Sequence, residues 1–314
     1  MGNPKISVII PVYNTEEYVA PAVESIMQQT LEDIEIILIN DGSTDRSLEI
    51  MEGLAQEDRR IQVYSQDNQG QSIARNHGVQ FATATYLYFM DSDDLLEPDA
   101  LEICYNKCEA NQLDFVFFDA SILQSQGQIN MGLNYSRMKA TDEKRVYTGM
   151  EVINILLSQH VYSASPCLSI IRTDFFKSIP LDFYPGIIHE DELFTFKLYL
   201  YAKRTMAIHR AFFIRRIRQN STMTQMFRWK NMRGYLTVAD EISKLRKGAN
   251  HQIKKTIDFF LTQMLNAAMW KGHMLSKAKR IYLFHICITR YRRYVTTRTL
   301  GTLLFKSYVP IKRN

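Results

Sequence analysis

Tyr86-Leu87-Tyr88-Phe89-Met90-Asp91-Ser92-Asp93-Asp94 is the stretch on which the reading of this chain turns. Its first five residues are apolar or aromatic, the pattern of a buried strand. Three carboxylates follow within four positions, where such a strand leaves its sheet. In open α/β sheets, ligands bind beyond the carboxyl ends of the strands. Like charges crowded there repel one another unless a cation joins them. A divalent ion carried on a diphosphate suits carboxylate oxygens. The competing reading is a solvated acidic turn whose Asp residues cap the next helix.

Upstream, Ile6 to Val12 is a β-branched run and Ile34 to Ile39 a second one, with a short third strand at Ile61 to Tyr64. Between them, Val19, Ala22, Val23, Ile26 and Met27 follow helical spacing, as do Leu48, Met51 and Leu54. Residues 70–83 and Pro98 to Asn111 predict further helices, and Asp114 to Phe118 another strand. Strand and helix alternate, so the expected fold is a mostly parallel, doubly wound α/β sheet. No GxGxxG follows the first strand, which argues against a dinucleotide site. Residues 121–150 are polar and irregular. From about 151 helical patterns return, 207–217 reads as a strand, and from about 226 the chain is helical and basic.

The net charge of +5 conceals a split. Residues 1–120 carry 22 acidic and 6 basic side chains, whereas residues 193–314 carry 3 acidic and 26 basic. The two regions must meet different partners or complement each other. Cys104, Cys108, Cys167 and Cys287 show neither metal spacing nor a disulfide framework; half-buried thiols are expected at Cys104 and Cys108, one helical turn apart, and a reducing cytoplasm fits. Met1 to Lys5 lead directly into a strand, which predicts no secretory leader, and no run is long enough to span a membrane.

Ser7-Val8-Ile9-Ile10-Pro11-Val12-Tyr13-Asn14, Asn40-Asp41-Gly42-Ser43-Thr44-Asp45, Asn68-Gln69-Gly70 with Ala74-Arg75-Asn76, and Asp91-Ser92-Asp93-Asp94 occur in that order. Together with His189-Glu190-Asp191, this set resembles glycosyltransferase family 2. The resemblance implies a GT-A fold, inverting chemistry and bacterial surface-polysaccharide work. It covers the first 120 residues densely. The expected division is a GT-A domain over 1–225, with a nucleotide-sugar half at 1–120 and an acceptor half at 121–225, then a helical basic region at 226–314.

The resemblance implies roles for individual residues. Pro11 and Tyr13 would line the nucleoside, with Tyr13 near the base. A carboxylate at Asp41 can accept the imide N–H of uracil, which favours uridine over cytosine; an Asx-turn is the plainer reading. Asn68 shapes the next loop. Arg75 can hold a phosphate or a carboxylate of the Asp91–Asp94 loop. Asp93 would be the direct ligand of Mn²⁺ or Mg²⁺, Asp91 would contact the ribose or the metal through water, and Asp94 would orient the loop. Asp191 would be the base that deprotonates the acceptor hydroxyl, against the plainer role of a helix-capping acid. Relatives carry a His in a later segment. Here Arg218 stands at that position, and an Arg there would clamp the diphosphate rather than ligate the metal.

Trp229, Trp270, Tyr282, Phe284, Tyr291 and Tyr294 lie among the basic residues of the C-terminus. Three readings follow: a solvated helical layer, peripheral docking on the anionic inner face of the cytoplasmic membrane, or nucleic acid, which is not expected. The expected activity is hexosyl or N-acetylhexosaminyl transfer from a nucleotide-diphospho-sugar, with UDP-sugar as donor, to a saccharide or lipid-linked acceptor. The alternative is a non-catalytic nucleotide-sugar-binding or scaffold protein. A nucleotidyltransferase would show a Gly-rich, basic phosphate loop after the first strand, and Pro11-Val12-Tyr13-Asn14 is not one.

Overall fold

The computed structural model describes residues 4–123, 137, 140–217 and 226–306. The chain forms two compact units. The first comprises Met1–Gly186 and Phe194–Arg218, the second Ile187–Leu193 and Gln219–Asn314. A single boundary at 225 therefore does not describe the partition, because Ile187–Leu193 packs with the C-terminal helices.

In the first unit β1 (Ile6–Val12), α1 (Val19–Met27), β2 (Ile34–Asp41), α2 (Ser47–Glu57), β3 (Ile61–Gln66), α3 (Gln71–Phe81) and β4 (Tyr86–Phe89) alternate as the hydrophobic pattern predicts. Their strands pair in parallel, in the order β3-β2-β1-β4. Every residue of β1 and β2 is buried, which is why both read as unbroken apolar runs rather than alternating ones.

The second half of the sheet is mixed. β5 (Leu95–Leu96), α4 (Ala100–Asn111), β6 (Phe115–Leu123), α5 (Gly149–Ser158), β7 (Ser169–Arg172), α6 (Thr173–Ser178), α7 (Glu190–Tyr201) and β8 (Thr205–Arg216) complete it. The full order is β3-β2-β1-β4-β7-β6-β8-β5. β7 runs antiparallel to both β4 and β6, and β5 antiparallel to β8. The sequence reading missed β5, whose two residues show no period, and β7, which offers only two apolar residues and no alternation. α5 opens with a capping box, in which the Thr148 hydroxyl accepts the Glu151 N–H and the Glu151 carboxylate accepts the Thr148 N–H.

The second unit is helical: α8 (Trp229–Leu245), α9 (His251–Lys271), α10 (Lys277–Thr289) and α11 (Thr297–Phe305). Val238, Ile242, Phe260, Leu265, Leu283 and Leu303 are buried in it. Among the described residues no helix is long and apolar enough to cross a membrane. The four cysteines are buried free thiols.

Candidate active site

The loops that leave β1, β2 and β4 are fastened to one another. Asn14 donates its N–H to the Ser43 hydroxyl and accepts the N–H of Thr44, at 3.2 and 2.8 Å. The Thr15 N–H reaches the Ser47 hydroxyl, and the Thr15 hydroxyl meets that of Ser92 at 3.0 Å. Pro11 is buried at the end of β1, whereas Tyr13 is 50% exposed.

Asp41 lies at the end of β2 and is only 2% exposed. Its carboxylate accepts the Gln66 side-chain amide at 2.7 Å and the backbone N–H groups of Gln69 and Gly70 at 2.9 and 2.8 Å. It therefore shapes the loop that contains Asn68, itself exposed. Gly42 follows at φ 70°, and a Cβ there would stand 2.7 Å from the Asn68 nitrogen. Only glycine meets both requirements.

Arg75, on α3, is 3% exposed and donates to Asp91 at 2.6 Å. Its guanidinium also lies over the Phe183 ring, 5.0 Å from the centroid. Burial opposes ionisation of Asp91, but the Arg75 and Arg215 guanidiniums outweigh it and hold this carboxyl below its usual range. Asp94 goes the other way: burial, then Asp91 and Asp93, push it up to about 8. Arg216 braces the same loop, donating its backbone N–H to Asp94 and its Nε–H to the Asp93 carbonyl, at 2.7 and 3.0 Å.

Three hard carboxylates on one loop, one of them resisting ionisation because of its burial and then of the other two, fit a divalent cation that would relieve the crowding. Among the described residues no three His, Cys, Asp or Glu side chains could hold an ion together. The loop would thus supply only part of such a cation's ligand set, as Mg²⁺ commonly keeps several waters.

The second carboxylate group belongs to the second unit. Glu190, Asp191 and Glu192 form the first turn of α7, where the helix dipole favours anions. Asp191 accepts the N–H of Glu192 at 3.0 Å. The Glu192 carboxyl is pushed up to about 8, by burial first and by Asp191 second. His189 precedes them at φ 73°, with its ring stacked on Tyr235 at 4.0 Å. Burial, and then Lys271, lower His189 to about 4, so it is neutral at physiological pH. A Cβ at Gly234 would stand 1.9 Å from the Ile188 carbonyl oxygen. α8 therefore lies directly on the backbone that leads into Glu190 and Asp191.

The structure thus brings Asp41 to the Asn68 loop and Arg75 to Asp91. Arg218 lies outside the described residues. His209 is engaged by Thr141 and Glu143. Sequence reasoning assigned no site role to Arg216, Asn76, Gly234 or Tyr235. Asn76 clamps the Phe183 backbone in both directions, at 2.8 and 2.9 Å. Its place beside Arg75 was the one available signal. Gly234 and Tyr235 sit in a helix with no motif, and only packing shows what they do.

The pattern of the family described as "Glycosyl transferase family 2" matches residues 7–179. Glycosyltransferase GlyA of Streptococcus pneumoniae serotype 4 is 29% identical over 273 residues, covering 85% of this chain. The chain spans only 38% of GlyA's length. S. aureus TarS residues 1–349, solved with UDP-GlcNAc, superimposes with a TM-score of 0.64 at 20% identity, covering 98% of this chain and 93% of that one. Mannosyltransferase PcManGT from Pyrobaculum calidifontis, solved with GDP-Man and Mn²⁺, gives 0.56 at 14%, covering 96% and 86%. At such identities the structural likeness shows the fold, the GT-A-type α/β arrangement. With the family pattern extending over more than half of its residues, this chain belongs to glycosyl transferase family 2.

Proposed function

We propose that this transferase moves one hexosyl or N-acetylhexosaminyl group from a UDP-sugar to a saccharide or lipid-linked acceptor in cell-surface polysaccharide assembly. The anomeric carbon inverts in the transfer. The observation that carries the reading is the Asp91–Asp94 loop, braced by Arg75 from α3 and by Arg216 from β8 at the carboxyl end of β4. Likeness to TarS, solved with UDP and with UDP-GlcNAc, supports the donor class.

In this reading the first unit binds the donor. Tyr13 lies against the base and Pro11 supports it. Asp41 has three donors on its carboxylate and can offer its remaining acceptor position to the uracil imide. Asn68 lies on the loop that Asp41 holds. Asp93 would hold Mn²⁺ or Mg²⁺, which when bound supplies Lewis-acid stabilisation of the departing diphosphate. Asp191 takes the acceptor hydroxyl proton as that oxygen attacks C1, and the C1–O bond to the diphosphate breaks in line.

The test is a donor screen with UDP-, GDP- and dTDP-sugars in the presence of Mn²⁺ or Mg²⁺. UDP release should dominate, and it should be lost in EDTA and in Asp93→Ala. Full turnover in EDTA would remove Asp93 from the metal site. Binding of UDP-sugars without turnover on any acceptor would leave a nucleotide-sugar-binding protein in place of a transferase.

A further inference from the structure

α10 is apolar on two faces. Leu283 and Cys287 are fully buried in the second unit. Ile281 and Ile288 point away from them, seven residues apart on one helical face, and are 64% and 42% exposed. Tyr282 beside them is also exposed. A surface helix normally presents polar residues to water. α11 ends in the same manner, on exposed Leu304 and on Phe305, which is 82% exposed. A groove of about 450 Å³, lined in part by Lys277, Arg280, Phe305 and Lys306, joins the start of α10 to the end of α11. Arg280 binds the two helices there through the carbonyls of Leu303 and Leu304.

The charge around these side chains has one sign. From Lys277 to Lys306 there are eight basic residues and no acidic one. Arg290 and Arg293 pair with Asp240 and Asp258. Lys279 instead lies over Trp229, and Arg298 and Lys306 over Trp270. Exposed aliphatic and aromatic side chains interleaved with cations are what the headgroup boundary of a bilayer selects.

We propose that the exposed face of α10 and the end of α11 dock on a bilayer rich in anionic lipid. The cations meet the headgroups, and Ile281, Tyr282 and Phe305 enter the acyl boundary. A second copy of this chain would bring the same positive face against itself. A nucleic acid would use the cations and aromatic rings but gains little from exposed Ile281, Ile288 and Leu304. The attachment is peripheral and salt-sensitive. It stands whether or not the transfer reaction is as proposed.

The full chain should sediment with vesicles of phosphatidylglycerol and phosphatidylcholine, not with phosphatidylcholine alone, and should be released by high salt. Lys277→Glu with Lys306→Glu should weaken binding about tenfold or more. Ile281→Ser with Phe305→Ser should weaken it as well while leaving thermal melting unchanged, since both sites are exposed. Emission from Phe305→Trp should shift to the blue on anionic vesicles only. Equal sedimentation with both vesicle types, or none with either, would overturn the proposal. So would binding indifferent to both double variants. Retention of the native chain on DNA without vesicle binding, abolished by Lys277→Glu with Lys306→Glu, would assign the face to a polyanion. Self-association lost in Ile281→Ser with Phe305→Ser would assign it to a second copy.

Discussion

At the scale of single residues, Asp41 and Glu192 show how much a carboxylate's surroundings decide. Asp41 accepts three N–H donors, two from the backbone of the following loop. Asn in its place has one acceptor oxygen and brings two donors of its own. Asp41→Asn should therefore cost about 1–3 kcal/mol of stability, the penalty of stranding a buried donor, and should weaken UDP binding. Chemical denaturation and titration calorimetry would check both; unchanged UDP affinity would free Asp41 from any nucleotide role. Glu192 has a raised carboxyl pKa. The unfolded chain releases that proton near 4.5, whereas the folded chain holds it to about 8. Between those values the folded state binds more protons, so stability falls as pH rises. Glu192→Gln should match the native chain below pH 4.5 and melt higher at pH 8. A constant difference across that range would contradict the assignment. Asp41 itself was legible in the sequence as a strand-end carboxylate, but its partners were not, because Gln66, Gln69 and Gly70 lie a strand and a helix further along the chain. Asp191→Asn keeps the helix-start geometry and removes the base. It should lower kcat by roughly 10²–10⁴-fold with donor affinity retained. Collapse of donor binding would move Asp191 to the nucleotide site.

At the scale of elements, the α8 contact on the Ile187–Leu193 segment is the feature with the most direct consequence. Gly234→Ala places a methyl where the Ile188 carbonyl lies, so α8 or the segment must give way. Overpacking of this kind costs about 1–3 kcal/mol. A shift of about 1 Å in a reacting group can cost on the order of 10²-fold in rate. Gly234→Ala should thus lower kcat and leave donor KM unchanged. Tyr235→Phe, which keeps the stack on His189, should leave kcat near native, whereas Tyr235→Ala should not. β1, β2 and β4 were readable because every residue of each is buried and turn residues bound them, and the partly buried β3 because Ile61 and Val63 alternate with polar Gln62. β7 was not, since Ser169-Ile170-Ile171-Arg172 offers two apolar residues and no alternation. Its place between β4 and β6 depends on pairing across the fold.

At the scale of the whole molecule, the basic C-terminal region is a structural layer as well as a surface. Leu283, Cys287, Tyr291 and Leu303 are buried within it, and a Cβ at Gly272 would stand 2.7 Å from a Leu303 methyl. Removing α10 and α11 should therefore unprotect α8, α9 and residues 187–193 in hydrogen exchange while β1 to β4 stay protected. Retained protection of α8 and α9 would show that the last two helices are an appendage. The charge split was visible in the sequence, but composition does not say which cations are paired. That distinction needed the Arg290–Asp240 and Arg293–Asp258 pairs.

The antiparallel β7 also sets a timetable for synthesis. When residue 120 has left the ribosome, the parallel half of the sheet is complete, yet β4 still offers an open edge from Tyr86 to Phe89. β6 cannot cover that edge, because its partner is β7, and β7 ends at Arg172. β5 waits longer, for Phe213 and Ile214. For some fifty residues of elongation the nascent chain therefore carries a short, apolar strand with one edge unpaired. Such edges are where chains pair wrongly with one another. The three carboxylates that follow Met90 lie at the end of this edge, and their mutual repulsion would discourage two nascent chains from joining there.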